Sequence, residues 1–104
     1  MSKGIQIIDP QERFTLEVDG ASLTLRRIDS ATLSAVERRH NNGQDRRAVN
    51  DDVLDYVLLD WDGVFSPLGE TEVPCTRENK LHLPSAVKLK VLAAAHGLRA
   101  EGEG

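Results

Sequence analysis

One cysteine, Cys75, is too few for an internal disulfide or for a zinc site built from several thiolates, and suits a reducing cytoplasm. Aromatic residues are scarce: Phe14, Tyr56, Trp61 and Phe65 leave most of the core to aliphatic side chains. No apolar run approaches the roughly 18 residues needed to cross a bilayer. The N-terminus lacks the basic-then-apolar pattern of a secretory signal, so the expected location is the cytoplasm. Positive charge is not in excess either. Thirteen Lys and Arg against 17 Asp and Glu give a formal charge of −4, which argues against nonspecific nucleic-acid binding. No internal repeat or low-complexity stretch is present. What remains is 104 residues, 39% hydrophobic and 29% charged, a composition for one soluble domain with a single modest core.

The patterning predicts an α+β fold: an N-terminal β-hairpin followed by about three helices, with room for a small second hairpin. Residues 1–13 are polar apart from Ile5, Ile7 and Ile8, stopped by Pro10, and read as a flexible arm or edge strand. The domain spans 14–97, and 98–104 is a disordered tail. Phe14, Leu16 and Val18 alternate with Thr15 and Glu17, Asp19-Gly20 suits a tight turn, and Leu23-Thr24-Leu25 returns with the same period. Asp29 or Ser30 can cap a helix carrying Leu33, Val36 and His40, with Arg38 and Arg39 in its last turn and Asn41-Asn42-Gly43 as its stop.

A second helix is expected from Asn50 as N-cap. Val53, Val57 and Trp61 fall at i, i+4 and i+8 beside Leu54 and Leu58, and Gly63 suits the position after the C-cap. Asp60 and Asp62 would then oppose the dipole at the helix end. Ser66-Pro67-Leu68-Gly69 signals a turn between Val64-Phe65 and Val73. Thr76 can cap a short helical turn through Asn79. Pro84 opens a last helix with Val87, Val91, Ala94 and Ala95 on one face and Gly97 as its stop.

Few residues carry recognisable chemistry. The run Leu58 to Val64, ending Asp60-x-Asp62-Gly63-Val64, matches the nucleophile strand of a haloacid-dehalogenase-type phosphatase. There one carboxylate attacks phosphorus and the second acts as acid and base beside magnesium. Such a motif normally opens a doubly wound domain, and about forty residues after it leave no room for repeated βαβ units of roughly 30 residues each. The spacing after Asp60 fails for a calcium-binding EF-hand loop. His40, His82 and His96 are scattered, and Cys75 has no histidine at a catalytic spacing, so no catalytic, metal or cofactor site is expected. Arg26-Arg27, Arg38-Arg39 and Arg46-Arg47 precede an aspartate-rich stretch. They form either a solvated surface with local ion pairs or a charge-segregated face for a partner protein.

A set of soft motifs runs through the same segments. Leu25-Arg26-Arg27-Ile28-Asp29 is followed by Asn50-Asp51-Asp52-Val53-Leu54-Asp55 and Leu59-Asp60-Trp61-Asp62-Gly63-Val64. Gly69-Glu70 and Pro74-Cys75-Thr76-Arg77-Glu78-Asn79-Lys80-Leu81 come after. Over about two-thirds of its length the chain resembles a group of small bacteriophage tail assembly chaperones, from which the aspartates at 60 and 62 depart. The resemblance implies a phage or prophage protein working in the host bacterial cytoplasm. It would bind the tape measure protein, keep it soluble and help recruit tail-tube subunits without enzymatic activity, with homo-oligomers conceivable. Trp61, Phe65, Arg26 and Arg27 are the candidate partner-binding residues, although Trp61 reads more readily as a packing residue and Phe65 either joins its cluster or lies exposed. Two other readings remain beside it: a permanent structural piece of a tail or head–tail joint, and a miniature phosphatase using Asp60 and Asp62.

Overall fold

Asp19 and Gly20 both take positive φ, 51° and 84°, the two left-handed residues that a type I′ turn demands. In the computed structural model, which describes Gly4, residues 7–9 and residues 11–96, this turn joins β1 (Phe14–Val18) to β2 (Ala21–Leu25). The strands pair antiparallel with Phe14 opposite Leu25, Leu16 opposite Leu23 and Val18 opposite Ala21. Period-two alternation puts these apolar pairs on one face, as predicted. Residues 7–9 carry no strand, which removes the edge-strand option there. Ile5, Pro10, Gly97 and the expected tail at 98–104 lie outside the described residues.

The first helix, α1 (Ser30–Arg39), begins where Asp29 accepts from the Thr32 amide at 2.8 Å, satisfying one of the free first-turn donors. Arg38 and Arg39 occupy its last turn. Asn41, Asn42 and Gly43 then take successive positive φ values and end it in a short 3₁₀ turn.

Two elements differ from the sequence expectation. The second helix, α2 (Arg46–Val57), starts a turn earlier than Asn50, capped by Asp45, whose side chain accepts from Ala48 N at 3.3 Å. Its buried stripe runs Val49, Val53, Leu54 and Val57. Arg46 and Arg47 in the first turn face the wrong end of the dipole, so the local charges conceal a start that burial of Val49 settles.

The helix also ends at Val57 rather than Gly63. Leu58–Asp62 form β3, the third strand of an antiparallel sheet ordered β1-β2-β3. The misleading signal has a physical source. A register shift opposite Thr24 and Leu25 leaves Leu59 as an extra residue, so Leu58 and Trp61 both point into the core three positions apart. A β-bulge thus imitates helical spacing. Asp60 and Asp62, unfavourable at a helix end, are accommodated on the solvent face of a strand. Gly63 is left-handed as expected, φ 85°, but for a different reason: a Cβ there would sit 3.2 Å from Ala21 Cα and 3.3 Å from the Gly20 carbonyl. The hairpin turn and the end of β3 approach closely enough that a side chain would push its backbone neighbours by a few tenths of an ångström, on top of the strain of positive φ.

Beyond β3 the predicted second hairpin reduces to one antiparallel bridge, Phe65 opposite Glu72, held by Val73 N to Val64 O at 2.9 Å and Ser66 N to Thr71 O at 2.8 Å. Thr76 caps α3 (Arg77–Leu81), and Pro84 precedes α4 (Ser85–Ala95). The four helices and three strands share one core centred on α2 and β2. Leu23, Leu25, Val49, Val53, Leu54, Val57, Leu58 and Val91 are its fully buried members. Burying each large aliphatic side chain contributes about 1.5–3 kcal/mol. Ile28 N donates to Ala95 O at 3.2 Å, tying the end of α4 to the strand-to-helix connection. Among the described residues no helix is long and apolar enough to cross a membrane.

Candidate functional site

Trp61 decides the shape of the surface that follows it. Its indole ring is buried, 7% exposed, and Nε1 donates to the Val73 carbonyl at 2.7 Å. A second tether runs from Gly63 N to the Glu72 carboxylate, also 2.7 Å. Together they clamp the returning arm of the 64–73 loop, at Glu72 and Val73, to the end of β3. The loop's outer side, with the α3–α4 connection, encloses a groove of about 380 Å³. Val64, Phe65, Pro67 and Val73 form one wall, and Leu83 and Pro84 the other. Ser66, Asn79 and His82 add polar edges. Phe65 is 52% exposed and Leu68, at the loop tip, 82%.

Hydrogen bonds fix the second wall. Asn79 donates its side-chain amide to the Pro74 carbonyl at 2.9 Å, and its backbone N–H reaches the Thr76 hydroxyl at 3.2 Å. Behind this wall α3 is bolted to α2 by ion pairs. Arg77 reaches Asp52 at 2.8 Å and Asp55 at 3.2 Å. Lys80, only 8% exposed, donates to the Asp55 side chain at 3.0 Å and to its carbonyl at 3.1 Å. Asp52 also takes His40 Nε2 at 2.7 Å, with Arg39 at 3.5 Å, so α1 joins the same network. The spacing held a clue: Asp52 and Asp55 on α2 and Arg77 and Lys80 on α3 are each i, i+3 pairs, which place matched charges on one helix face.

The expected partner-binding residues therefore separate. Phe65 lies on the groove, and Trp61 supports it from beneath. Arg26 is half-buried, its guanidinium stacked 3.8 Å from the Tyr56 ring centroid and its Nε donating to the Tyr56 carbonyl at 2.7 Å. Arg27 lies 4.5 Å from the Phe14 ring centroid and 3.9 Å from Glu12. Arg39 and Arg46 are in ion pairs with Asp52 and Glu37. Leu83, Pro84 and His82 carry no groove signal in the sequence because they meet the 64–73 loop only once α3 is docked on α2.

Asp60 and Asp62 are exposed, and Asp60 Oδ1 accepts from Trp61 N at 2.8 Å. Their strand pairs antiparallel with β2, unlike the parallel strand on which the phosphatase reading depends. Among the described residues no group of three or more His, Cys, Asp or Glu is placed to hold a metal ion. Burial pushes the Cys75 thiol up, opposed by nearby Lys80 and reinforced by Asp60 and Asp55, so it is a protonated thiol at neutral pH. No family model, curated protein or solved structure matches this chain.

The network behind the groove sets an acid limit. The His40 hydrogen bond, with Arg77, holds the Asp52 carboxyl below its usual range against the opposing effect of burial. Burial raises Asp55, yet bonds and charges from Lys80 and Arg77 bring it lower overall. The Thr32 amide and hydroxyl lower Asp29. Around pH 4 the native state therefore binds fewer protons than the unfolded chain. The stabilisation is complete above the unfolded value of roughly 4 and disappears as pH falls through the lower folded values. Thermal denaturation should give a melting temperature that drops below about pH 4. Asp52→Asn should start lower, by about 1 kcal/mol for a partly exposed pair, and fall less steeply. Parallel acid slopes in the two proteins would mean that Asp52 does not set this limit.

Proposed function

We propose that this protein is a phage tail assembly chaperone, non-enzymatic, that binds a tape measure protein, keeps it soluble and helps recruit tail-tube subunits. One observation carries the reading. The segment from Trp61 to Leu81, part of the 50–83 stretch where the resemblance is strongest, folds into a clamped loop and a capped helix whose product is an open apolar groove with Phe65 half-exposed on it. Such grooves receive apolar side chains from amphipathic helices, and a tape measure offers long helical faces of that kind. Phe65 makes the direct contact and Trp61 sets the position of the loop, while Arg26 and Arg27, packed on Tyr56 and Phe14 outside the groove lining, act only through the fold. A groove of this modest size suits exchangeable binding, as a partner later displaced by tube protein requires.

The expected tape measure is the product of a very long, helix-rich reading frame neighbouring the gene for this chain. Co-expression should keep fragments of it soluble and co-purify them with this protein, and Phe65→Ser should weaken the association by about tenfold. Mass spectrometry of finished virions should find the chaperone absent. Its presence there in stoichiometric amounts would favour a permanent structural piece of the tail or head–tail joint. A tape measure that neither binds nor gains solubility would overturn the proposal.

A further inference from the structure

The segment from Asp60 to Thr76 carries four carboxylates, Asp60, Asp62, Glu70 and Glu72, and no lysine or arginine. Elsewhere thirteen acidic residues balance thirteen basic ones, so the whole formal charge of −4 belongs to these 17 residues. All four carboxylates are exposed. The ion pairs that knit the fold use Glu12, Glu37, Asp52 and Asp55 instead.

This acidic segment is also the wall that holds Phe65. Glu72 stands opposite Phe65 in the bridge, and Asp62 precedes Val64 by two residues. The cations nearest in sequence on the facing wall are committed behind it: Arg77 to Asp52 and Asp55, and Lys80 to Asp55. Lys88 lies a turn further along α4. Among the described residues no carboxylate lines the groove itself, but the chain segment that forms its loop side carries all four, with Glu72 opposite Phe65 and Asp62 two residues before Val64. An anionic ligand, or a helix with glutamates beside its apolar stripe, would meet repulsion there. A segment with lysines or arginines beside its apolar anchors would meet attraction, which raises association rates and fixes orientation.

We propose that the groove docks a cationic amphipathic segment of another protein, inserting a few large apolar side chains beside Phe65 while Lys or Arg residues face Asp62 and Glu70. The proposal rests on the groove being the contact surface of the assembly role above, and adds the partner's charge.

Its test uses the full chain and fluorescently labelled, tryptophan-free helical peptides read by anisotropy. The first has leucines on one face and lysine and arginine on the other. The second replaces the basic residues with glutamate, and the third replaces the leucines with serine. The basic amphipathic peptide should bind, losing affinity several-fold as salt rises from about 0.05 to about 0.5 M. The other two should bind at least about tenfold more weakly. Phe65→Ser, an exposed change expected to leave the melting curve in place, should lower affinity for the basic peptide by about tenfold. The double variant Asp62→Lys/Glu70→Lys should reverse the preference toward the acidic peptide.

Equal binding of acidic and basic peptides, no binding of the basic one, or affinity indifferent to Phe65→Ser would each overturn the proposal. If tape measure fragments co-purify but the basic peptide does not bind, the charge inference fails and the assembly role stands. If the basic peptide binds but no tape measure fragment associates, the assembly role fails and the groove's preference for cationic segments stands.

Discussion

Trp61→Ala should lower the free energy of unfolding by about 3–5 kcal/mol, the range for removing a large buried aromatic side chain. The loss combines three effects: burial of the ring against the sheet, the cavity left beneath the loop, and the hydrogen bond to the Val73 carbonyl. Trp61→Phe separates them. It keeps most of the apolar contact and loses the indole donor, at a cost of about 1–2 kcal/mol. Its more specific effect should be local, with amide exchange at Val73 and along the 64–73 loop accelerating more than at α2. Urea denaturation with hydrogen exchange reads both quantities. If Trp61→Phe leaves exchange in the loop unchanged, the indole bond does not hold the groove wall.

The second large effect concerns Asp55 and Lys80, and it is asymmetric. Asp55→Ala should destabilise by about 2–4 kcal/mol, because it leaves the buried Lys80 ammonium with a backbone carbonyl and no counter-charge. Lys80→Met removes the charge from the interior while keeping an unbranched apolar stem. Asp55, more exposed, retains Arg77, so the cost should be within about 1 kcal/mol. The double variant Asp55→Ala/Lys80→Met should recover much of the single Asp55→Ala loss. Additive losses in that cycle would mean the two groups are not coupled across the α2–α3 contact.

The hairpin was legible because its two signals agree. Alternation from Phe14 to Val18 and the Asp19-Gly20 pair demand the same local geometry. The helix starts at Asp29 and Thr76 were legible for a related reason, since a side-chain cap acts within three residues of itself. The 58–62 segment misled because two periodicities coincide there. A bulge at Leu59 brings Leu58 and Trp61 to the same face, and a helix with that spacing would do so too. Only the open edge of β2 distinguishes them, and that edge lies more than thirty residues away in the chain.

The candidate site divides along the same line. Phe65 could be named from the sequence, as an aromatic just past a glycine, outside any apolar stripe. The opposite wall, at Leu83 and Pro84, could not, because it depends on how α3 docks against α2 through pairs more than twenty residues apart. Arg26 and Arg27 illustrate the converse. Paired arginines suggest a charged surface, yet aromatic faces and backbone carbonyls within reach hold both side chains half-buried against the fold, which local sequence does not encode.

Composition and short-range pattern by themselves determined that this is an α+β domain with an N-terminal hairpin, capped helices and an acidic central segment. These are properties of charge, turn chemistry and spacing over a few residues. Tertiary structure alone decided that Leu58–Asp62 is a strand, that Trp61 clamps a loop, and that Phe65 meets Leu83 and Pro84 across a groove. Each of those outcomes comes from burying one element's apolar face against another, a free energy that belongs to the contact between them and to neither element alone.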